Sequence, residues 1–205
     1  MKLEGKIAMV TGTSPNIMGG IAEGLAEEGA DVVVTDIEAS DSAIRAEDRQ
    51  AGWAGLNSVV EEIESKGRQA LGLFSDVSDG VQVADMVAKT LDQFGKIDIL
   101  VNNAGISGTR DPIPATALEQ IDEDLWMALL NTNLIGVFRC AKAAAPALRA
   151  SGGAIVNTAS TAGMGLQGSS TPYAASKSGV VSVTRSLARG LAPDVRVNAV
   201  APGQV

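Results

Sequence analysis

An α/β fold, a doubly wound parallel sheet with helices on both faces, is predicted by two features of the sequence. Six short β-rich runs alternate with longer helical ones, and most of the β-rich runs are apolar at nearly every position. That continuous apolar character belongs to strands buried on both faces, which a parallel sheet needs because helices cover each side of it. The candidate strands are Lys6 to Thr11, Asp31 to Asp36, Gln69 to Phe74, Ile97 to Asn102, Ala154 to Thr158 and Val195 to Val200. Helices are predicted over Gly20 to Glu28, Leu56 to Lys66, Val81 to Phe94, Asp122 to Ala150 and Tyr173 to Leu191. Strand–helix–strand repeats of this kind require right-handed crossovers. No repeat, low-complexity tract or linker divides residues 1–205, so the chain reads as one domain.

Composition narrows the function. The 205 residues include 24 Asp and Glu against 16 Lys and Arg, a formal charge of −8, and 45% of them are hydrophobic. Such a chain has a core, and its acidic balance repels both a nucleic-acid backbone and an anionic membrane surface. Histidine is absent and Cys140 is the single thiol, which excludes histidine-based triads, His/Cys zinc sites and an internal disulfide. No metal is expected. The segment Met1 to Gly12 carries charges at Lys2, Glu4 and Lys6 and lacks the apolar centre of a signal peptide. No run approaches the roughly 18 apolar residues of a membrane span. A cytoplasmic protein is expected.

The first strand leads into a glycine turn, TGTSPNIMGG, and a helix. Backbone N–H groups reach a pyrophosphate at a helix N-terminus only where side chains are small, and Gly12, Gly19 and Gly20 supply that. The second strand ends at Asp36, about twenty residues on. There a carboxylate accepts hydrogen bonds from an adenosine ribose and repels a 2′-phosphate, so NAD is favoured over NADP. Two long loops, Ile37 to Gly55 and Ser107 to Gln120, leave from the carboxyl ends of the second and fourth strands, where ligands bind in such sheets.

After the fifth strand a Gly- and Ser-rich loop enters the last helix. Tyr173 and Lys177, four residues apart, share one helix face. An ammonium near a phenol favours phenolate, which makes Tyr173, the only tyrosine, a candidate general acid/base. Ser160 lies 13 positions upstream, where its hydroxyl can meet a substrate oxygen.

The run Tyr173-Ala-Ala-Ser-Lys177 with Ser160 upstream resembles the active site of the short-chain dehydrogenase/reductase family. The likeness extends through Thr11-Gly12, Asp76-Val77, Asn102-Asn103-Ala104-Gly105, Asn133-Leu134 and Pro202-Gly203, in family order over essentially the whole chain. It implies a Rossmann-type sheet and hydride transfer between NAD(H) and a secondary alcohol or ketone. Tyr173 would exchange the proton, Lys177 would hold the nicotinamide ribose, and Ser160 would orient the substrate oxygen. Asn133, at a helix irregularity, would anchor a water in a proton relay through Lys177. Asp76 and Val77 would contact adenine. Asn103, Ala104 and Gly105 would line the adenosine and ribose. Further cofactor contacts are implied for Gly12, Ser14, Asn16, Ile17 and Met18, for Asp36 and Ile37, for Tyr173 and Lys177, and for Pro202, Gly203 and Val205. A homodimer or homotetramer, pairing through the helices Asp122 to Ala150 and Tyr173 to Leu191, is also implied.

Two departures from the family's pattern stand out. Asn16 and Met18 occupy positions where its turn usually carries glycines, with Gly19 and Gly20 displaced by one and two places. The chain stops at Val205, just past Pro202-Gly203, so the family's last strand and helix are expected to be missing and Val195 to Val200 to form an exposed edge. The insertion Ile37 to Gly55 is expected to be a charged surface loop pinned by Trp53, with a lid over the adenosine as the alternative. Reduction of 3-oxoacyl thioesters is the alternative activity, and a catalytically impaired nucleotide-binding scaffold is the alternative of another class.

Overall fold

A computed structural model describes residues 1–12, 18–37, 55–166 and 168–203. Six strands, β1 (Ile7–Thr11), β2 (Asp31–Asp36), β3 (Ala70–Phe74), β4 (Ile99–Asn102), β5 (Ala154–Thr158) and β6 (Arg196–Val200), form one sheet in the order β3-β2-β1-β4-β5-β6. Every pairing is parallel. The order reverses between β1 and β4, which opens a crevice at the carboxyl ends of these neighbours.

The helices are α1 (Met18–Glu27), α2 (Leu56–Ser65), α3 (Gly80–Phe94), α4 (Glu123–Leu129), α5 (Gly136–Ser151) and α6 (Thr171–Leu191), with a π turn over Leu130–Ile135 joining α4 to α5. Strand alternation splits the core in two. Met9, Val33, Leu100 and Ile155 face α3 and α5 through Met86, Val87, Cys140 and Leu148. Ala8, Val10, Val32 and Val34 face α1 and α2 through Ala22, Ala26, Val59 and Ile63. Each large apolar side chain buried this way contributes about 1.5–3 kcal/mol.

Two polar devices hold the sheet ends. At the amino end the Asp98 carboxylate, 4% exposed, accepts from the Ile7 N–H at 2.9 Å and pairs with Lys6 and Lys96 at 2.9 Å each. Burial pushes this carboxyl up, but the Ile7 N–H and the two ammonium groups outweigh it and hold the group below the usual carboxylate range. At the carboxyl end Thr11 Oγ1 accepts from the N–H groups of Asn103 and Ala104, at 3.2 and 3.3 Å.

Several expectations from the sequence need correction. Helix α1 begins at Met18, so Gly19 and Gly20 lie in its first turn rather than in the glycine turn before it. The helix expected over Asp122 to Ala150 is three segments: Asp122 is the N-cap of α4, its Oδ1 accepting from Leu125 N at 2.8 Å, and the π turn breaks the regular winding after Leu129. Strand β6 pairs only with β5 and forms the edge of the described sheet, with Val197 buried and its four other residues exposed. Among the described residues no helix is long and apolar enough to cross a membrane. Ser14, Asn16, Ile17, Val205 and most of the insertion, including Trp53, lie outside the described residues.

Candidate active site

The end of β5 and the start of α6 build one wall of the site. Ser160 caps a short 3-10 turn, Thr161–Met164, its Oγ accepting from Ala162 N at 3.2 Å. That bond uses a lone pair and leaves the hydroxyl proton to be donated outward. Ser170 caps α6 by accepting from Tyr173 N at 3.3 Å, and Pro172 in the first helical turn has no N–H to leave unpaired. Tyr173 is therefore presented at the mouth of a well-defined helix start. Gly163 is needed for the close approach of turn and helix, since a Cβ there would lie 2.6 Å from the Lys177 carbonyl carbon.

Lys177 is 5% exposed and donates from Nζ to the Thr158 carbonyl at 2.8 Å. Its Nζ stands 5.9 Å from the centre of the Tyr173 ring. Burial pushes the ammonium down to about 8. Asn133, fully buried in the π turn, accepts from Ile106 N at 2.8 Å and donates to Ile106 O at 3.0 Å and Ser176 Oγ at 3.2 Å. The family resemblance implies a helix irregularity at this residue, and the π turn is one. Gly105 lies between the two groups: a Cβ there would sit 3.2 Å from Asn133 Oδ1 and 3.4 Å from Lys177 Nζ.

These groups open onto a cavity of about 190 Å³ that Ser160, Tyr173, Lys177, Asn103, Pro202 and Gly203 help to line. A second cavity of about 120 Å³ lies on the β1–β2–β3 side, bounded by Gly12, Asp36, Ile37, Asp76, Val77 and Thr132 among others. Gly105 and Ile106 line both, so the two cavities adjoin at the switch point between β1 and β4, as two parts of one crevice region. Asp36 Oδ1 accepts from Ile37 N at 2.8 Å, and Asp76 Oδ1 accepts from Ser78 N at 2.7 Å, so each acid also steadies its own turn.

The cleft's far end fits a dinucleotide. Gly12 has a φ of +71°, and a Cβ there would meet the Ala104 Cα at 2.7 Å, so only glycine leaves the backbone open at the end of β1. Beside Asp76 the buried hydroxyl of Ser75 has no hydrogen-bond partner among the described residues. Asn103 ties the two ends together, donating from Nδ2 to Gly12 O at 3.1 Å and accepting from Thr158 Oγ1 at 3.1 Å. Ser75, Ile106, Thr132 and Thr158 are site residues that the sequence alone does not single out. Ser75 and Thr158 sit at or just past strand carboxyl ends, a position that signals a ligand in this architecture. Thr132 lies in the π turn, which has no sequence signature.

A family model described as short chain dehydrogenase matches residues 6–205. The chain belongs to the short-chain dehydrogenase family. As a short-chain dehydrogenase it is an oxidoreductase acting on CH–OH or carbonyl groups. It is 40% identical over 201 residues to a 3-oxoacyl-[acyl-carrier-protein] reductase of Staphylococcus epidermidis, covering 97% of this chain and 74% of the relative. Its fold superposes on an NAD+-bound xylitol dehydrogenase with a TM-score of 0.84 at 33% identity, covering 99% of this chain and 72% of that one. The carveol dehydrogenase of Mycobacterium avium in complex with NAD gives 0.84 at 30% identity, covering 98% and 71%. This short-chain dehydrogenase thus spans about three quarters of the length of the proteins it matches.

Proposed function

We propose that this short-chain dehydrogenase uses NAD(H) to interconvert a secondary alcohol and a ketone. The observation that carries the proposal is the gathering of Ser160, Tyr173 and Lys177 around a cavity that adjoins a second, acid-lined cavity at Gly105 and Ile106. NAD, when bound, supplies the hydride acceptor at the carbinol carbon. The protein's part is proton handling and orientation. The Ser160 hydroxyl, already an acceptor for Ala162 N, donates to the substrate oxygen and holds it near the Tyr173 phenol. In the oxidising direction Tyr173 takes the alcohol proton as the C–H bond yields its hydride; in reduction the phenol returns a proton to the developing alkoxide. Lys177, held over the ring side of Tyr173 by the Thr158 carbonyl, places a cation where phenolate forms.

Gly12, Asp36, Ile37, Asp76, Val77, Asn103, Ala104 and Gly105 hold the dinucleotide in this reading, with Pro202 and Gly203 beside the nicotinamide end. The choice of NAD over NADP rests on Asp36. With Asp76 it makes one end of the cleft doubly acidic, and among the described lining residues no lysine or arginine offsets a 2′-phosphate. The 40% identical relative favours a second reading, reduction of 3-oxoacyl thioesters. Absorbance of NADH and NADPH, followed with a panel of secondary alcohols, ketones and 3-oxoacyl thioesters, decides between them. Turnover of simple ketones with NADH supports the proposal; turnover confined to thioesters with NADPH overturns it.

We also propose a homo-oligomer paired through α5 and α6. The side chains of Ile135 and Phe138, 39% and 48% exposed, lie where α5 begins. Sedimentation at several concentrations tests it, and a monomer throughout refutes it.

A further inference from the structure

We propose that Ser176 is a positioning residue for the reaction: its hydroxyl, bonded to both the Asn133 amide and the Tyr173 carbonyl, fixes the π turn against the helix that carries Tyr173 and Lys177. The inference rests on the proposed roles of Tyr173 and Lys177.

Ser176 is fully buried, one residue before Lys177. Its Oγ donates to the Tyr173 carbonyl at 2.7 Å, which commits its single proton. A lone pair remains, and Asn133 Nδ2 donates to it at 3.2 Å. The rest of the Asn133 amide is engaged by the backbone of Ile106, through Oδ1 at 2.8 Å and Nδ2 at 3.0 Å. These partners leave the amide one orientation: oxygen towards an N–H, nitrogen towards a carbonyl and a hydroxyl that has no proton left to give.

Three segments therefore meet at one side chain: the loop after β4 that lines both cavities, the π turn, and α6. A second close approach between α6 and the π turn is apolar, with Leu134 so near Gly179 that a Cβ there would lie 2.8 Å from Leu134 Cδ2. Apolar surfaces slide past one another at little cost, whereas a hydrogen bond is directional and fixes a distance. The Asn133–Ser176 bond thus sets the register of α6, and Gly105 marks what that register controls, the convergence of Asn133 Oδ1 and Lys177 Nζ on one point.

Ser176→Ala removes the acceptor and frees the helix to shift while keeping a good helix former in place. The expected result is a fall in kcat of roughly ten- to a hundredfold, with substrate KM and the Kd for NADH, read by its fluorescence, within about twofold of wild type. Wild-type kcat in Ser176→Ala overturns the inference, and so does a fall in kcat matched by an equal loss of NADH affinity. Tyr173→Phe, assayed alongside, separates the two levels: near-wild-type turnover in that variant overturns the catalytic reading itself. A second measurement needs no variant. The side-chain amide protons of Asn133 are expected to exchange slowly with solvent in the wild-type protein, and rapid exchange overturns the clasp. Should Ser176→Ala fold poorly, Ser176→Cys, with a thiol that is a weak acceptor, is expected to show the same kcat loss, and its absence counts equally against the proposal.

Discussion

Lys177 sits one helical turn beyond Tyr173, with its Nζ 5.9 Å from the ring centre and tied to the Thr158 carbonyl at 2.8 Å. The cation beside the phenol is thus a buried one, and in the proposed mechanism it favours the phenolate. Tyr173→Phe is expected to lower kcat by about 10² to 10⁴-fold while leaving NADH binding unchanged, as read by steady-state turnover and fluorescence titration.

Burial of Lys177 gives stability a pH dependence with a definite sign. The folded protein releases the proton near pH 8, whereas the ordinary value, which the unfolded chain keeps, is 10.5. Between these values the unfolded state binds more protons, so stability rises with pH and is lost again as pH falls through about 8. Relative to Lys177→Met, the wild type should gain about 3 kcal/mol across that window, measured by denaturant unfolding of both proteins at each pH.

On the proposed reading, Asp36 sets the cofactor preference. Asp36→Asn removes one of the two carboxylates at the acidic end of the cleft, and kcat/KM for NADP should rise roughly tenfold relative to that for NAD. An unchanged ratio would place the discrimination elsewhere.

Much of this architecture was legible in the sequence, for identifiable reasons. Strands β2 and β5 have the bounds the sequence predicts, since Asp31 and Asp36 bracket one apolar run and Gly153 precedes the other. Strand β4 starts at Ile99, later than predicted, although Asp98 just before it still bonds both neighbouring strands through its backbone, to Ile7 O and from Ala154 N, and holds the Ile7 N–H with its carboxylate. That Tyr173 and Lys177 share one helix face was readable from helical spacing alone, whereas their expected catalytic roles came with the family resemblance. Asn133 was not: an apolar period over LNTNLIG cannot distinguish an i+4 from an i+5 turn, and only the family resemblance singled the residue out. The hydroxyl of Thr132 carried no pattern, and those of Ser75 and Thr158 were marked only by their place at strand carboxyl ends.

Asp98 should dominate the acid sensitivity of the fold. Its carboxyl is held below the usual range, so the stability it contributes is present above about pH 4 and is lost as pH falls through the folded value. Asp98→Ala deprives the Ile7 N–H of its acceptor and is expected to cost about 2 to 3 kcal/mol, the half-exposed Lys6 and Lys96 adding little. Thermal unfolding between pH 3 and pH 7 checks both statements.

Gly12→Ala meets two obstacles at once, a φ of +71° and a contact of 2.7 Å with the Ala104 Cα. A stability loss of about 2 kcal/mol and weaker NADH binding are expected from unfolding and fluorescence titrations.

The π turn bears on what this chain can become. Thr132 looks into the cavity beside Asp76, while its neighbour Asn133 is turned inward to Ile106. Deleting one residue from Leu130–Ile135 would restore ordinary winding and rotate α4 by about 100° against α5, dragging the two side chains out of phase together. On the proposed reading, a change in this segment disturbs the nucleotide end and the catalytic end of the cleft together.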